Sequence, residues 1–130
     1  MQYLLDSDTC IFALRDHPNV MKKLVNLPLT DWGISPVTAF ELERGVAALV
    51  NQELARQTTL FIEAAEVLQF GAQEAKLAAQ IEKHLKKLGQ FSGELDVFIA
   101  AQALSQGLIL VTNNTKHFRN IPGLKLENWV

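Results

Sequence analysis

Short runs of consecutive apolar residues alternate along this chain with longer stretches whose apolar positions recur every three or four residues, the signatures of strand and helix. Tyr3-Leu4-Leu5 reads as a first strand. It is ended by Asp6-Ser7-Asp8-Thr9, four residues each able to cap a helix, before the apolar stretch Cys10 to Leu14. His17-Pro18 breaks that helix, and Val20, Met21, Leu24 and Val25 carry a second as far as the Pro28 region. Trp32 to Ser35 is a brief second strand, after which Ser35 at the cap and Pro36 at the first helical position open a long helix to about Val50. Helical patterns over 52–65 and 72–88 follow, separated by a strand-like stretch from Val67 to Gly71, with Gly89 as a stop. Leu95 to Leu104 is apolar except at Asp96 and Gln102 and ends at Gly107, which predicts a helix buried on most sides. Leu108 to Val111 has the unbroken apolar character of a central parallel strand, Thr112 to Thr115 is the polar turn at its carboxyl end, and a last short strand lies near Leu124 to Leu126.

Strands alternating with helices, with no repeat or linker, predict one α/β domain over residues 1–130 built on a parallel sheet. The composition agrees: 130 residues, 48% hydrophobic and 20% charged, fit one globular core and exclude disordered and fibrous classes. No apolar run reaches the roughly 20 residues that span a bilayer, and the first residues lack the basic region of a secretory signal, so a cytoplasmic protein is expected. The one cysteine, Cys10, reads as a small core residue and rules out a Cys-based zinc site. A net charge of -2 means that any nucleic acid must be met through local basic patches or a bound cation.

Ligands of open parallel sheets bind outside the carboxyl ends of the strands. That rule selects Asp6, the Ser35 to Glu41 turn, Asp96 at the head of the buried helix, and Thr112 to Asn114. Three of the four places carry a carboxylate. Mg²⁺ and Mn²⁺ take oxygen ligands, and acids gathered at one sheet edge are costly unless a cation neutralises them. Each acid also has a plainer role to play: Asp6 can cap its helix, Glu41 can pair with Arg44, and Asp96 suits the positive end of a helix dipole. Glu41 lies on a helix apolar almost all round, where a carboxylate needs a partner. Lys116, His117 and Arg119 follow the last turn and are better placed to meet nucleic acid than the Lys83 to Lys87 run, which reads as a solvated helix end. The three histidines lack the spacing of a His-based metal site, and there is no glycine-rich phosphate loop or nucleophile elbow.

Leu5 to Thr9, Ser35 to Thr38 with Glu41, Leu42 and Gly45, Asp96 with Ile99 to Ala101, and Val111 to Thr115 with Phe118 together resemble the ordered motifs of PIN-domain ribonucleases, in particular VapC toxins of toxin–antitoxin modules. The resemblance covers nearly the whole chain, including Glu127-Asn128-Trp129. It implies a three-layer α/β/α sandwich and Mg²⁺- or Mn²⁺-dependent endoribonuclease activity. It also implies a homodimer, inhibition by a cognate VapB-type antitoxin through which alone operator DNA is met, and RNA, specifically tRNA, as substrate. Carried over by position, Asp6, Glu41 and Asp96 match the acidic metal-site residues; Thr112 and Asn114 are read as support for the metal's water shell, Asp8 as a structural or outer acid, and Lys116 and Arg119, from their place after the last turn, as RNA contacts. Asn114 stands where many PIN domains have a fourth acid, and Asp8 where the family often has Asn. A proline that many relatives carry before the third acid is missing from Ser92-Gly93-Glu94-Leu95. Two rivals remain. A receiver-like signalling module needs a mid-chain phosphoacceptor Asp, and none lies between Asp31 and Asp96. A nuclease-shaped module that only binds RNA or a partner is motivated by Asn114.

Overall fold

Five short strands, β1 (Tyr3–Leu5), β2 (Trp32–Ile34), β3 (Glu66–Val67), β4 (Ile109–Val111) and β5 (Lys125–Glu127), form one sheet in the order β3-β2-β1-β4-β5 in the computed structural model, which describes residues 1–130. Every pairing is parallel, with Leu5 level with Ile34 and Val111. The helices are α1 (Ser7–Leu14), α2 (Pro18–Val25), α3 (Pro36–Ala48), α4 (Gln52–Ala64), α5 (Ala72–Lys87) and α6 (Glu94–Gln106).

Alternation along the strands divides the core in two, since successive side chains point to opposite faces. Leu4 and Leu110 join α5, α6, Phe118 and Ile121 on one face, whereas Leu5, Ile34 and Val111 join α1 to α4 and Trp129 on the other. Helices on both faces of a parallel sheet give the expected α/β/α sandwich. Cys10 is buried among the second set, and burial pushes its thiol well above the ordinary value, which leaves it chemically quiet.

Two expectations need correction. The stretch from Val67 to Gly71 is not a strand: pairing is confined to Glu66–Val67, both exposed at the sheet edge. Beyond it the chain turns in to bury Leu68, and the carbonyls of Leu68 and Gln69 accept hydrogen bonds from Gln102 Nε2 at 2.9 and 3.0 Å. With Gln106 Nε2 donating to the same Gln69 carbonyl at 3.0 Å, two amides of α6 tie down the residues that follow β3. The apolar circumference of α3 is the second correction. Thr38 and Leu42 are buried, but Phe40 is 55% exposed and Val50, just past the helix, is 95% exposed, so much of its apolar surface is uncovered.

Gly33, in the middle of β2, admits no side chain: a Cβ there would stand 2.8 Å from the Glu66 carbonyl oxygen and 3.2 Å from Leu68 Cγ. The backbone contact cannot relax as a flexible side chain would. Gly33→Ala is expected to cost about 1–3 kcal/mol of stability, as overpacking does, read as a lowered urea midpoint.

Candidate active site

Because β1 is central and β2 and β4 flank it, the turns after three adjacent strands open onto one edge of the sheet. The chain leaves β1 for β2 on one side and reaches β4 on the other, so the strand order reverses beside β1, where a crevice forms in such sheets. α6 precedes β4 directly and therefore begins at that same edge. Gly93 brings the chain into α6 with φ of 128°, a conformation that favours glycine, and sets Asp96 in the first turn.

The result is a cavity of about 320 Å³ whose lining includes Asp6, Asp8, Glu41, Glu94 and Asp96 together with Asn114 and His117. No Lys or Arg lines it. All three acids selected from the sequence therefore meet in one place, and Asp8 joins them. Asp6 is the N-cap of α1, its Oδ1 accepting from Thr9 N at 2.9 Å, so among the four candidate caps it is Asp6 that caps, and it faces the cavity as well. Glu41 does not pair with Arg44, whose guanidinium lies over the Phe40 ring at 5.1 Å; its Oε1 accepts instead from Ser7 Oγ at 3.0 Å. Asp96 Oδ2 contacts Ser92 Oγ at 2.6 Å and His117 Nδ1 at 2.9 Å.

Thr112 is fully buried beneath the site, and its hydroxyl contacts Asp6 and accepts from Asn114 N at 2.9 Å. Asn114 lines the cavity and lies 3.1 Å from His117. Lys116 and Arg119 are exposed and are not brought into the cavity. Three residues not read from the sequence as partners of the acids emerge here: Ser7, Ser92 and His117, the last expected only as a nucleic-acid contact. Ser92 was legible in principle as a hydroxyl four residues before Asp96. His117 follows Asn114 by three positions in the short 3-10 turn Thr115–His117, a spacing that returns it to the same side.

Burial pushes the Asp6 carboxyl above its ordinary value of 3.8, and the charge of Asp8 adds to this; hydrogen bonds from Thr112 and Thr9 work against it. An acid with a raised folded value takes up a proton on folding. Its stabilising contribution is present below the unfolded value and is lost as pH rises through the folded one. Asp6→Asn keeps the cap, since Asn caps about as well as Asp, and removes the titration. The metal-free variant is therefore expected to lose part of the wild-type decline in stability from about pH 4 upward, measured by urea melts across pH.

As the side chains lie, no three of these groups stand close enough to share one ion, and Asp6, Glu41 and Asp96 each accept a hydrogen bond from a neighbouring donor. The donor set nonetheless fits a hard cation: carboxylates without Lys or Arg, one of them held up in pKa by burial, and several oxygens free for water.

The PIN domain family model matches residues 3–124 of the chain. The tRNA(fMet)-specific endonuclease VapC of Salmonella typhimurium is 35% identical over 99% of this chain and 98% of its own length. Ribonuclease VapC2 of Rickettsia felis is 31% identical over the same shares. The crystal structure of DNA-bound VapBC from Salmonella typhimurium superposes with a TM-score of 0.90 at 34% identity, covering 100% of this chain and 99% of that one. The chain belongs to the PIN domain family, and within it to the VapC ribonucleases.

Proposed function

We propose that the acidic cavity is the catalytic centre of a divalent-metal-dependent endoribonuclease that acts as the toxin of a toxin–antitoxin pair, the whole chain forming one catalytic domain. The single observation that carries this is the meeting of Asp6, Glu41 and Asp96 in one cavity without a Lys or Arg, at the sheet edge where such folds bind ligands. Mg²⁺ or Mn²⁺ is the cofactor that this oxygen set suits.

Asp6 and Asp96 would hold the cation, and Glu41 would complete the set or orient the attacking water. When bound, the cation would offset charge on the phosphate and favour deprotonation of water for an in-line displacement. Thr112 fixes Asp6 from below, and Ser92 fixes Asp96. Asn114 offers a neutral oxygen where an acid would add charge. Lys116 and Arg119, exposed just beyond the cavity in sequence, meet the RNA backbone outside it.

The similarity to a tRNA(fMet)-specific endonuclease supports tRNA, the initiator included, as the substrate. A VapB-type antitoxin is the partner, supported by the likeness to DNA-bound VapBC, and operator DNA is met only through that antitoxin. A second copy of the chain completes a homodimer. No helix is long and apolar enough to cross a membrane, which suits a cytoplasmic site of action.

The test is sequencing of RNA 5′ ends after brief expression, paired with cleavage of purified tRNA with Mg²⁺, Mn²⁺ or a chelator. New 5′ ends in tRNA that vanish with the chelator are expected. RNA bound but uncut under every metal condition would make the protein a binding module.

A further inference from the structure

Asp96 Oδ2 is contacted from two sides, by Ser92 Oγ at 2.6 Å and by His117 Nδ1 at 2.9 Å, and the same ring nitrogen lies 3.1 Å from the Asn114 side-chain amide. Donor and acceptor chemistry decides how these groups are arranged. An ionised carboxylate oxygen offers only lone pairs, so the ring nitrogen facing it carries the hydrogen. An N–H cannot accept from an amide N–H, so Asn114 turns its carbonyl oxygen, not its NH₂, towards the ring; the two ends of an amide are near-identical in shape and are assigned from such networks. The Nδ1 hydrogen is then shared between Asp96 and Asn114. Two donors, Ser92 and His117, engage Oδ2 of Asp96, which leaves Oδ1 as its oxygen for a cation.

From this geometry we propose that His117 is a positioning residue for the metal site: its Nδ1–H fixes the Asp96 carboxylate in the orientation that presents Oδ1 and ties Asn114 to the same arrangement. The inference rests on the metal-site reading above. Hydrogen-bond partners of ligating carboxylates act in this way, and their loss commonly lowers metal affinity about 10–100-fold. The imidazole is 40% exposed, so removing it leaves no cavity in the core and the fold is little affected.

The experiment measures Mn²⁺ affinity by calorimetry, the melting temperature without metal, and cleavage at low and saturating Mn²⁺, for four variants. His117→Ala is expected to bind Mn²⁺ roughly tenfold or more weakly at an unchanged melting temperature, with activity lost at low Mn²⁺ and regained at saturation. Asn carries its NH₂ where histidine carries Nδ1, so His117→Asn regains most of the affinity. His117→Gln, which carries its NH₂ at the position of Nε2, does not. Wild-type affinity in His117→Ala, or rescue by Gln and not by Asn, overturns the proposal. Asp96→Asn separates the two levels of inference: if it abolishes Mn²⁺ binding while His117→Ala leaves it intact, only the positioning role is wrong. If Asp96→Asn itself retains full Mn²⁺ affinity, the metal site is wrongly placed and the role of His117 falls with it.

Discussion

Asp96→Asn and Asp6→Asn are each expected to reduce RNA cleavage by far more than the roughly 10–100-fold that loss of a supporting contact costs, while the metal-free protein melts no lower than wild type. The two halves of this expectation come from different parts of the structure. Cleavage fails because each substitution replaces an anionic oxygen facing the cavity by a neutral amide, and the remaining acids hold a cation less tightly. Stability survives for separate reasons. Asn at position 6 still accepts from Thr9 N and still caps α1. At position 96 the side chain is partly exposed, and removing one charge relieves the repulsion among acids that share the cavity. A purely structural role for these acids predicts instead that cleavage survives both substitutions. Cleavage of tRNA in saturating Mg²⁺ and melting in chelator, on the same preparations, decide between them. Added Mn²⁺ sharpens the comparison: at about 100 times the dissociation constant it stabilises a binding-competent protein by about 2.7 kcal/mol, and Asp96→Asn should show almost none of that gain.

The fold and the three acids were readable from the sequence because both follow from local rules. Ser35-Pro36 starts a helix wherever it stands, Leu108 to Val111 can only be a covered strand, and in a parallel sheet the residue after each strand is placed at the edge where ligands bind. What escaped depends on contacts across the chain. Ser7 meets Glu41 from 34 positions away and His117 meets Asp96 from 21, distances over which no periodicity operates. The segment after β3 reads as strand from its apolar residues, but the amides of Gln102 and Gln106 on α6 take its carbonyls, and nothing within the segment announces that competition. The uncovered side of α3 shows a further limit: an apolar helix surface looks the same in sequence whether it faces a core or a partner.

A partner that ends in an arginine should silence the enzyme, and the shape of the surface beside the active site says how it would be delivered. A groove lined by Ile11, Leu14, Leu42, Val46, Leu49 and Leu54 runs between α1, α3 and α4, and Glu41 borders both this apolar groove and the acidic cavity. An amphipathic segment seated in the groove would therefore carry whatever follows it to the carboxylates. No Lys or Arg lines the cavity, and a guanidinium, with its planar fork of donors, pairs with carboxylates such as Asp6 and Asp96 in place of a metal ion. An antitoxin of the VapB kind is thus expected to combine a DNA-binding half with a tail that has apolar residues at helical spacing followed by Arg. In cleavage assays the purified pair should be inactive. Changing that Arg to Ala should restore activity at antitoxin concentrations near the dissociation constant, even though the apolar segment still binds. Changing Val46 or Leu49 to Asp, in contrast, should weaken association itself, seen as loss of co-purification. Undiminished inhibition by the Ala variant would mean that the partner blocks the RNA by bulk alone, and that the carboxylates play no part in its recognition.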